Sequence, residues 1–292
     1  MTTISAALVK ELRERTGVAM MACKKALVEA GGDIDKAIED MRKSGAAKAV
    51  KKAGRVAAEG AIVALHDASK KTAVIVEVNC ETDFVARDEN FLAFANGVAK
   101  TALATGHTDL DTLKTTPMDG DSANIEDVRL ALVTKIGENV NIRRAALLKG
   151  DNLGVYSHGG RIAVISTLTG GDADLARDIS MHVAASNPAV AKPEDVSESM
   201  IDAEKAIFVA QAKESGKPDN IIEKMITGRV QKFLNEVSLT GQPFIKDPSQ
   251  TVGALLQSKN ATVDQFIRFE VGEGIEKKVE NFAEEVMAQT RA

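Results

Sequence analysis

The chain contains no tryptophan and a single tyrosine, and its aromatic content is 3%. Platforms that stack bases or sugars need several exposed rings, so readers of that kind are disfavoured, and the cores fall to alanine, valine and isoleucine. Cysteine is almost as scarce. Cys23 and Cys80 lie far apart, without metal spacing, and no signal-like apolar segment precedes them, a usage that suits a reducing cytoplasm. No apolar run approaches the roughly 20 residues of a membrane span, because charge interrupts each run within a turn or two. The expectation is a soluble, cytoplasmic chain with no membrane partner. Excess positive charge is missing as well: 37 basic residues stand against 42 acidic ones, for a net charge of -5. That balance argues against a nucleic-acid footprint over the whole protein.

Sequence signatures of bond chemistry are equally absent. The four histidines, His66, His107, His158 and His182, have no ligand spacing to one another, and no Cys-x-x-Cys, His-Glu-x-x-His or EF-hand pattern occurs. There is no Walker loop, dinucleotide fingerprint or Gly-x-Ser-x-Gly elbow, so Gly159-Gly160 and Gly170-Gly171 read as turn glycines. Glu81 and Asp83 form a conceivable acid-base pair, but no third group orients them. No catalytic residue, cofactor site or metal site is expected, and the chain reads as a binding protein rather than an enzyme. His182, among apolar neighbours in a helical stretch, reads as a satisfied core histidine, and His158, in a hairpin turn, as exposed.

What is present is an ordinary globular composition, 44% hydrophobic and 27% charged over 292 residues, patterned as an α+β protein. Ile4, Leu8, Val9 and Leu12 recur at helical spacing, and Gly17 follows where a left-handed cap would end that helix. A second helix at about 20–30 offers Met20, Cys23, Ala26 and Leu27; a third, capped by Asp33, presents Ile34, Ala37, Ile38 and Met41 before Ser44-Gly45. Residues 1–45 therefore form a three-helix module with a marginal core, which should lean on a partner or on the rest of the chain. Its sticky point is Met20-Met21, with one methionine in the core and the other on the surface as the alternative. Residues 46–59, with Lys48, Lys51, Lys52 and Arg55 and no acid before Glu59, read as a basic linker. That linker is the best nucleic-acid candidate, and a solvated tether is its plainer reading.

Beyond it a β-β-α-β unit occurs twice. Strands at 61–66 and 72–78, a helix from Asp88, a second helix at 125–137 and a strand at 141–148 make the first copy. Strands at 153–157 and 161–169, a helix at 174–185 and a strand at 263–271 make the second. Core subdomain one spans 60–150, and core subdomain two spans 151–192 with 238–271, both with antiparallel sheets. Within the second subdomain lies an insertion at 193–237 with two apolar seams, Val196, Met200, Ala203, Ile207 and Ala210, then Ile221, Ile222, Met225, Ile226, Val230, Phe233, Leu234 and Val237. It reads as a coiled-coil helical hairpin that serves dimerisation or simply spans length. Residues 272–292 form a C-terminal module, a helix carrying Ile275, Val279, Phe282 and Val286 after the hinge-like Gly272 and Gly274.

The junction at 79–90 organises the rest. It joins the clearest strand to a strong helix whose face carries Phe91, Leu92, Ala95, Val98, Ala99 and Ala102, and Thr82 to Val85 fall in the loop between. Phe84 stands there beside an aspartate. Spacing alone favours a staple, with Phe84 folded back on the first helical turn; a ring facing water in such a loop would instead be functional.

Taken together, Leu12-Arg13-Glu14-Arg15-Thr16-Gly17, Met20-Met21 with Cys23-Lys24-Lys25-Ala26-Leu27, Glu77-Val78-Asn79-Cys80 running into Thr82-Asp83-Phe84-Val85-Ala86, Lys135-Ile136-Gly137-Glu138-Asn139, Met181-His182-Val183-Ala184-Ala185-Ser186 and Gly272-Glu273-Gly274-Ile275-Glu276 resemble the bacterial elongation factor Ts family over the whole chain. Ala19 and Ala22 stand where many members carry glycine and aspartate. The resemblance implies a ubiquitin-associated-like N-terminal module and a guanine-nucleotide exchange factor that binds elongation factor Tu, GDP-bound and nucleotide-free. It implies that Thr82, Asp83, Phe84 and Val85 form a wedge that disturbs the partner's magnesium and phosphate site, against the staple that spacing favours. Leu12, Val18, Met20, Met21 and His158 are implied as further contacts. No direct nucleotide and no nucleic acid are expected, and a homodimer or a two-plus-two complex stays open. The alternative is a ribosome- or nucleic-acid-associated binding module that uses the basic linker.

Overall fold

The computed structural model describes residues 4–16, 18, 20–214 and 218–276. The chain divides into two compact units, Met1–Val63 with Val76–Ala145 and Glu270–Ala292, and Ala64–Ile75 with Ala146–Phe269. The expected cap at Gly17, the tip of the helical hairpin at 215–217 and the C-terminal helix beyond residue 276 lie outside the described residues.

In the first unit, α1 (Ala6–Thr16), α2 (Met20–Glu29) and α3 (Ile34–Lys52) share a core of Val9, Leu12, Val18, Cys23, Ala26, Leu27, Ala30 and Ala37. The Asp33 carboxylate caps α3 by accepting from the Lys36 amide at 2.9 Å. This helix does not stop before Ser44-Gly45 as its sequence suggests; it runs on through the expected linker to Lys52. The glycine serves close packing instead: a Cβ at Gly45 would sit 2.6 Å from the Thr134 hydroxyl oxygen.

Strands β1 (Glu59–Asp67), β2 (Thr72–Cys80) and β3 (Asn141–Lys149) form a sheet in that order. The central strand β2 is buried at all nine positions, which is why its first five residues read as an apolar, β-branched-rich run rather than an alternation. A single turn, α4 (Asp83–Ala86), then α5 (Glu89–Thr105), α6 (Leu110–Thr115) and α7 (Ile125–Ile136) link β2 to β3. Two of these depart from expectation. The stretch Thr82 to Val85 is not an irregular loop, and α6 is a helix where only one, at 125–137, was expected. On α5 the buried face carries Phe91, Phe94, Ala95, Val98, Ala99 and Ala102, while Leu92 is partly exposed.

The segment from Glu270 is fastened by Glu77, whose side chain is completely buried on β2. Its carboxylate accepts from Arg143 Nη1 at 3.1 Å, Arg144 Nε at 2.6 Å, Asn79 Nδ2 at 3.0 Å and the Gly272 amide at 2.8 Å. Gly272 is therefore not a hinge. It holds φ +71°, and a Cβ there would lie 2.2 Å from the Ala58 carbonyl oxygen.

The second unit repeats the sheet pattern with β4 (Asn152–His158), β5 (Ile162–Thr169) and β8 (Thr262–Glu270), in the order β4-β5-β8. Strands β4 and β5 pair antiparallel, with Asn152 opposite Leu168 and His158 opposite Ile162. His158 thus ends a strand and is not part of the turn. Helix α8 (Ala173–Ser186), capped by Asp172, buries Leu175, Ile179 and Val183 against Val164, Leu168 and Val263. The inserted residues form α9 (Glu198–Glu214) and α10 (Asp219–Val237), which pack together. The seam of α9 is rotated from the expected one. Ala212 is buried and Ile201 and Phe208 are half-buried, whereas Met200 and Ile207 are exposed; alanines on opposite sides of the helix, at 203 and 212, blurred its phase in the sequence. On α10 the expected seam is half-buried except for exposed Ile221. Sequence patterning missed the two-stranded β6 (Pro243–Phe244) and β7 (Asp247–Thr251) and the short α11 (Val252–Ser258). His182 sits in the core of this unit. Its Nδ1 accepts from the Ile245 amide at 3.1 Å and its Nε2 donates to Gln242 Oε1 at 2.9 Å, which fixes the neutral tautomer.

Candidate functional site

Strand β2 ends in a cluster of polar groups that turns the chain sharply into α4. The Thr82 hydroxyl caps this turn by accepting from the Val85 amide at 3.3 Å. The same hydroxyl donates to Glu138 Oε1 at 2.7 Å, and Glu138 Oε2 accepts the amides of Glu81 at 3.1 Å and Thr82 at 3.0 Å. In return, Glu81 Oε1 accepts the Asn139 amide at 2.6 Å. Two short segments, 81–82 and 137–139, thus clasp each other through reciprocal carboxylate-to-backbone bonds, the stronger charge-assisted kind. Below them the Cys80 thiol donates to the Thr82 carbonyl at 3.2 Å.

The basic stretch is tied into this clasp. Lys52 Nζ donates to the Gly137 carbonyl, Arg55 Nη1 lies 3.4 Å from Glu81 Oε2, and Asn139 Nδ2 donates to the Arg55 carbonyl at 3.0 Å. Two of the four cations expected to attract a polyanion are therefore occupied within the protein.

On this scaffold Phe84 is 82% exposed, the most exposed of the large hydrophobic residues among those described. It does not fold back as a staple. The reason is local geometry: the helical turn places Phe84 on its outer side, and the first turn of α5 is already capped by Asp88, which accepts from the amides of Asn90 at 2.9 Å and Phe91 at 3.2 Å. Asp83 pairs with Arg87 at 2.9 Å in an exposed i,i+4 bridge, and Val85 is half-buried.

The remaining expected contacts divide by burial. Met20 and Met21 are both exposed, at 54% and 75%, so neither enters the core. Leu12 is fully buried and Val18 nearly so, both within the three-helix core. A module this small spends such side chains chiefly on its own packing. His158 is exposed, and its Nδ1 lies 3.3 Å from the Tyr156 hydroxyl oxygen. Sequence reasoning missed Glu138 and the reciprocal role of Glu81. The run Lys135 to Asn139 was noticed only as part of a resemblance. No group of three or more potential metal ligands occurs among the described residues, and no helix among them is long and apolar enough to cross a membrane.

Comparison with known proteins agrees with the architecture. The sequence model of the family described as "Elongation factor TS" matches residues 81–273, which include the clasp, the exposed turn, the helices and last strand of the first β-β-α-β unit and the whole of the second. Elongation factor Ts of Thioalkalivibrio sulfidiphilus is 57% identical over 292 residues, covering 99% of each chain. Its counterpart in Idiomarina loihiensis is 58% identical over 290 residues, covering 99% of this chain and 98% of that one. The Legionella pneumophila protein of the same name is 56% identical over the full length of both. With identity at this level along the whole chain, and a family match that takes in the organising junction, the protein belongs to the elongation factor Ts family.

Proposed function

We propose that this protein acts in the cytoplasm as a nucleotide-exchange factor in translation elongation, binding elongation factor Tu in its GDP-bound and nucleotide-free forms and promoting GDP release. The observation that carries the proposal is Phe84, a large apolar ring 82% exposed on a turn held by charge-assisted hydrogen bonds. An unsupported ring in water has an apolar surface to bury, worth roughly 1.5–3 kcal/mol on full burial. Spent selectively on the nucleotide-free partner, that energy weakens nucleotide binding by the same factor, because coupling between two ligands is reciprocal. The factor is about 10- to 150-fold.

Phe84 acts as a wedge, with Thr82, Asp83 and Val85 forming its mount. Magnesium demands a near-ideal octahedral shell, so small displacements of its protein ligands loosen the bound phosphates, and no covalent step is needed. Met20 and Met21, on a ubiquitin-associated-like module, and His158, on the second unit, supply contacts that hold the partner while the wedge acts. The helical hairpin, of coiled-coil type, adds reach.

The test is stopped-flow release of a fluorescent GDP from elongation factor Tu, with this protein or its Phe84→Ala variant. Release is expected to accelerate with the wild type and to slow at least tenfold relative to it in the variant, with complex formation less affected. Wild-type acceleration that survives the substitution refutes the wedge, and the absence of any acceleration refutes exchange.

A further inference from the structure

Phe84 is too exposed for packing to hold it in place. Helix α4 has only four residues, and a helix that short has no stability of its own. The direction in which the ring points is therefore set by whatever fixes the cap of α4. That cap is the Thr82 hydroxyl, which has one hydrogen. With the hydrogen donated to Glu138 Oε1 at 2.7 Å, a lone pair is turned toward the Val85 amide at 3.3 Å. The second carboxylate oxygen takes the amides of Glu81 and Thr82 at 3.1 and 3.0 Å, so one side chain controls both the approach to the turn and its cap. Glu138 is itself immobilised, since Glu81 accepts the next amide, Asn139, at 2.6 Å and the Asn139 side chain is tied to the Arg55 carbonyl at 3.0 Å.

We infer that Glu138 is the positioning residue for Phe84: its carboxylate orients the turn that presents the ring, although it lies 54 positions away in sequence. The inference rests on the exchange function proposed above and adds a residue to it. Preorganisation of this kind lowers the ordering cost at the moment of binding, so its loss should appear in how well Phe84 performs rather than in overall folding.

Two measurements on the full chain test it. Hydrogen exchange at the Thr82 and Val85 amides of the free protein is expected to quicken at least tenfold in Glu138→Ala, the scale of a lost charge-assisted bond. Glu138→Gln, which keeps an acceptor oxygen, should fall between, and amides of the second unit such as Val164 should keep wild-type protection. Unchanged exchange at Thr82 and Val85, or equal quickening at Val164, overturns the inference. The second measurement is a double-mutant cycle on GDP release. Glu138→Ala should slow release at least threefold beside Phe84 and change nothing in the Phe84→Ala background. Equal slowing in both backgrounds refutes positioning while leaving exchange intact. A Phe84→Ala variant with wild-type release refutes the wedge instead, and the amide measurement then decides the role of Glu138 alone.

Discussion

Replacing Glu77 by glutamine removes one charge from a completely buried position without changing its shape. The wild-type carboxylate meets two guanidinium groups, an amide side chain and a backbone N–H, at distances from 2.6 to 3.1 Å. Glutamine would turn an NH2 group toward at least one of these donors and withdraw the Glu77 charge from both arginines, of which Arg144 keeps its bridge to Glu273 at 3.1 Å. Breaking a buried pair costs about 3–5 kcal/mol. Because the side chains of Arg143 and Arg144 are 25% and 30% exposed, water recovers part of that, and about 3 kcal/mol is expected. At about 2–4 °C per kcal/mol, the melting temperature should fall by about 6–12 °C. The pH dependence supplies the sharper check. Burial alone would raise the Glu77 pKa, but the hydrogen bonds from Gly272, Asn79 and Arg144 and the charge of Arg144 outweigh it and hold the carboxyl below its ordinary value. A carboxyl lowered on folding contributes stability in full above its unfolded pKa and loses it as pH falls through the folded one. The gap in melting temperature between wild type and Glu77→Gln, measured by calorimetry, should therefore be widest near neutrality and narrow below about pH 4.5. Equal melting temperatures at neutral pH, or a gap that does not narrow in acid, would refute this reasoning.

Burial lowers the His182 pKa, opposed in part by its bond to Gln242. Its contribution is complete above the unfolded value near 6.5 and drains as pH falls from there through the folded one. Melting curves should show this decline as pH falls below about 6.5, and His182→Ala should flatten it. A variant with the wild-type slope would clear His182 of the effect. The Cys80 thiol is pushed up to about 12 by burial, with Glu138 and Glu59 adding to the shift. It should resist iodoacetamide at about pH 8 in the native protein and react on denaturation; native labelling at the rate of a free thiol would contradict this. Phe84→Ala should leave the melting temperature unchanged within about 0.5 kcal/mol, since an exposed ring supports nothing in the free protein.

Strands, caps and the internal duplication were legible because each leaves a short-range mark. The run 72–78 is rich in β-branched residues, Asp33 stands at a cap position, and Ala163-Val164-Ile165 echoes Ala73-Val74-Ile75. The errors have equally physical origins. Gly45 reads as a stop, yet its function is to let α3 approach Thr134 closely. Gly272 reads as a hinge, and the bond from its amide to Glu77, 195 positions earlier, is not written in any local pattern. Helix α4 is too short to show a period. For the candidate site, the sequence marked Phe84 as out of place but misjudged its direction, because spacing cannot distinguish a ring folded onto the next helix from one held away by its own turn. Glu138 was invisible for a plainer reason: its partners are 56 and 57 residues away, and they are mostly main chain.

That last property bears on how the clasp would look to genetics. Three of its four donors are backbone N–H groups, at 81, 82 and 139, and every amino acid except proline supplies one. Substitution at position 139 by any residue but proline therefore leaves the donor that Glu81 uses, and no compensating change elsewhere can restore a lost carboxylate. Positions 81 and 138 should each be intolerant in a saturation scan yet show no covariation with each other or with the residues whose main-chain N–H groups they accept from. A method that finds contacts through correlated change would pass over the joint, although it holds the Phe84 ring out in water.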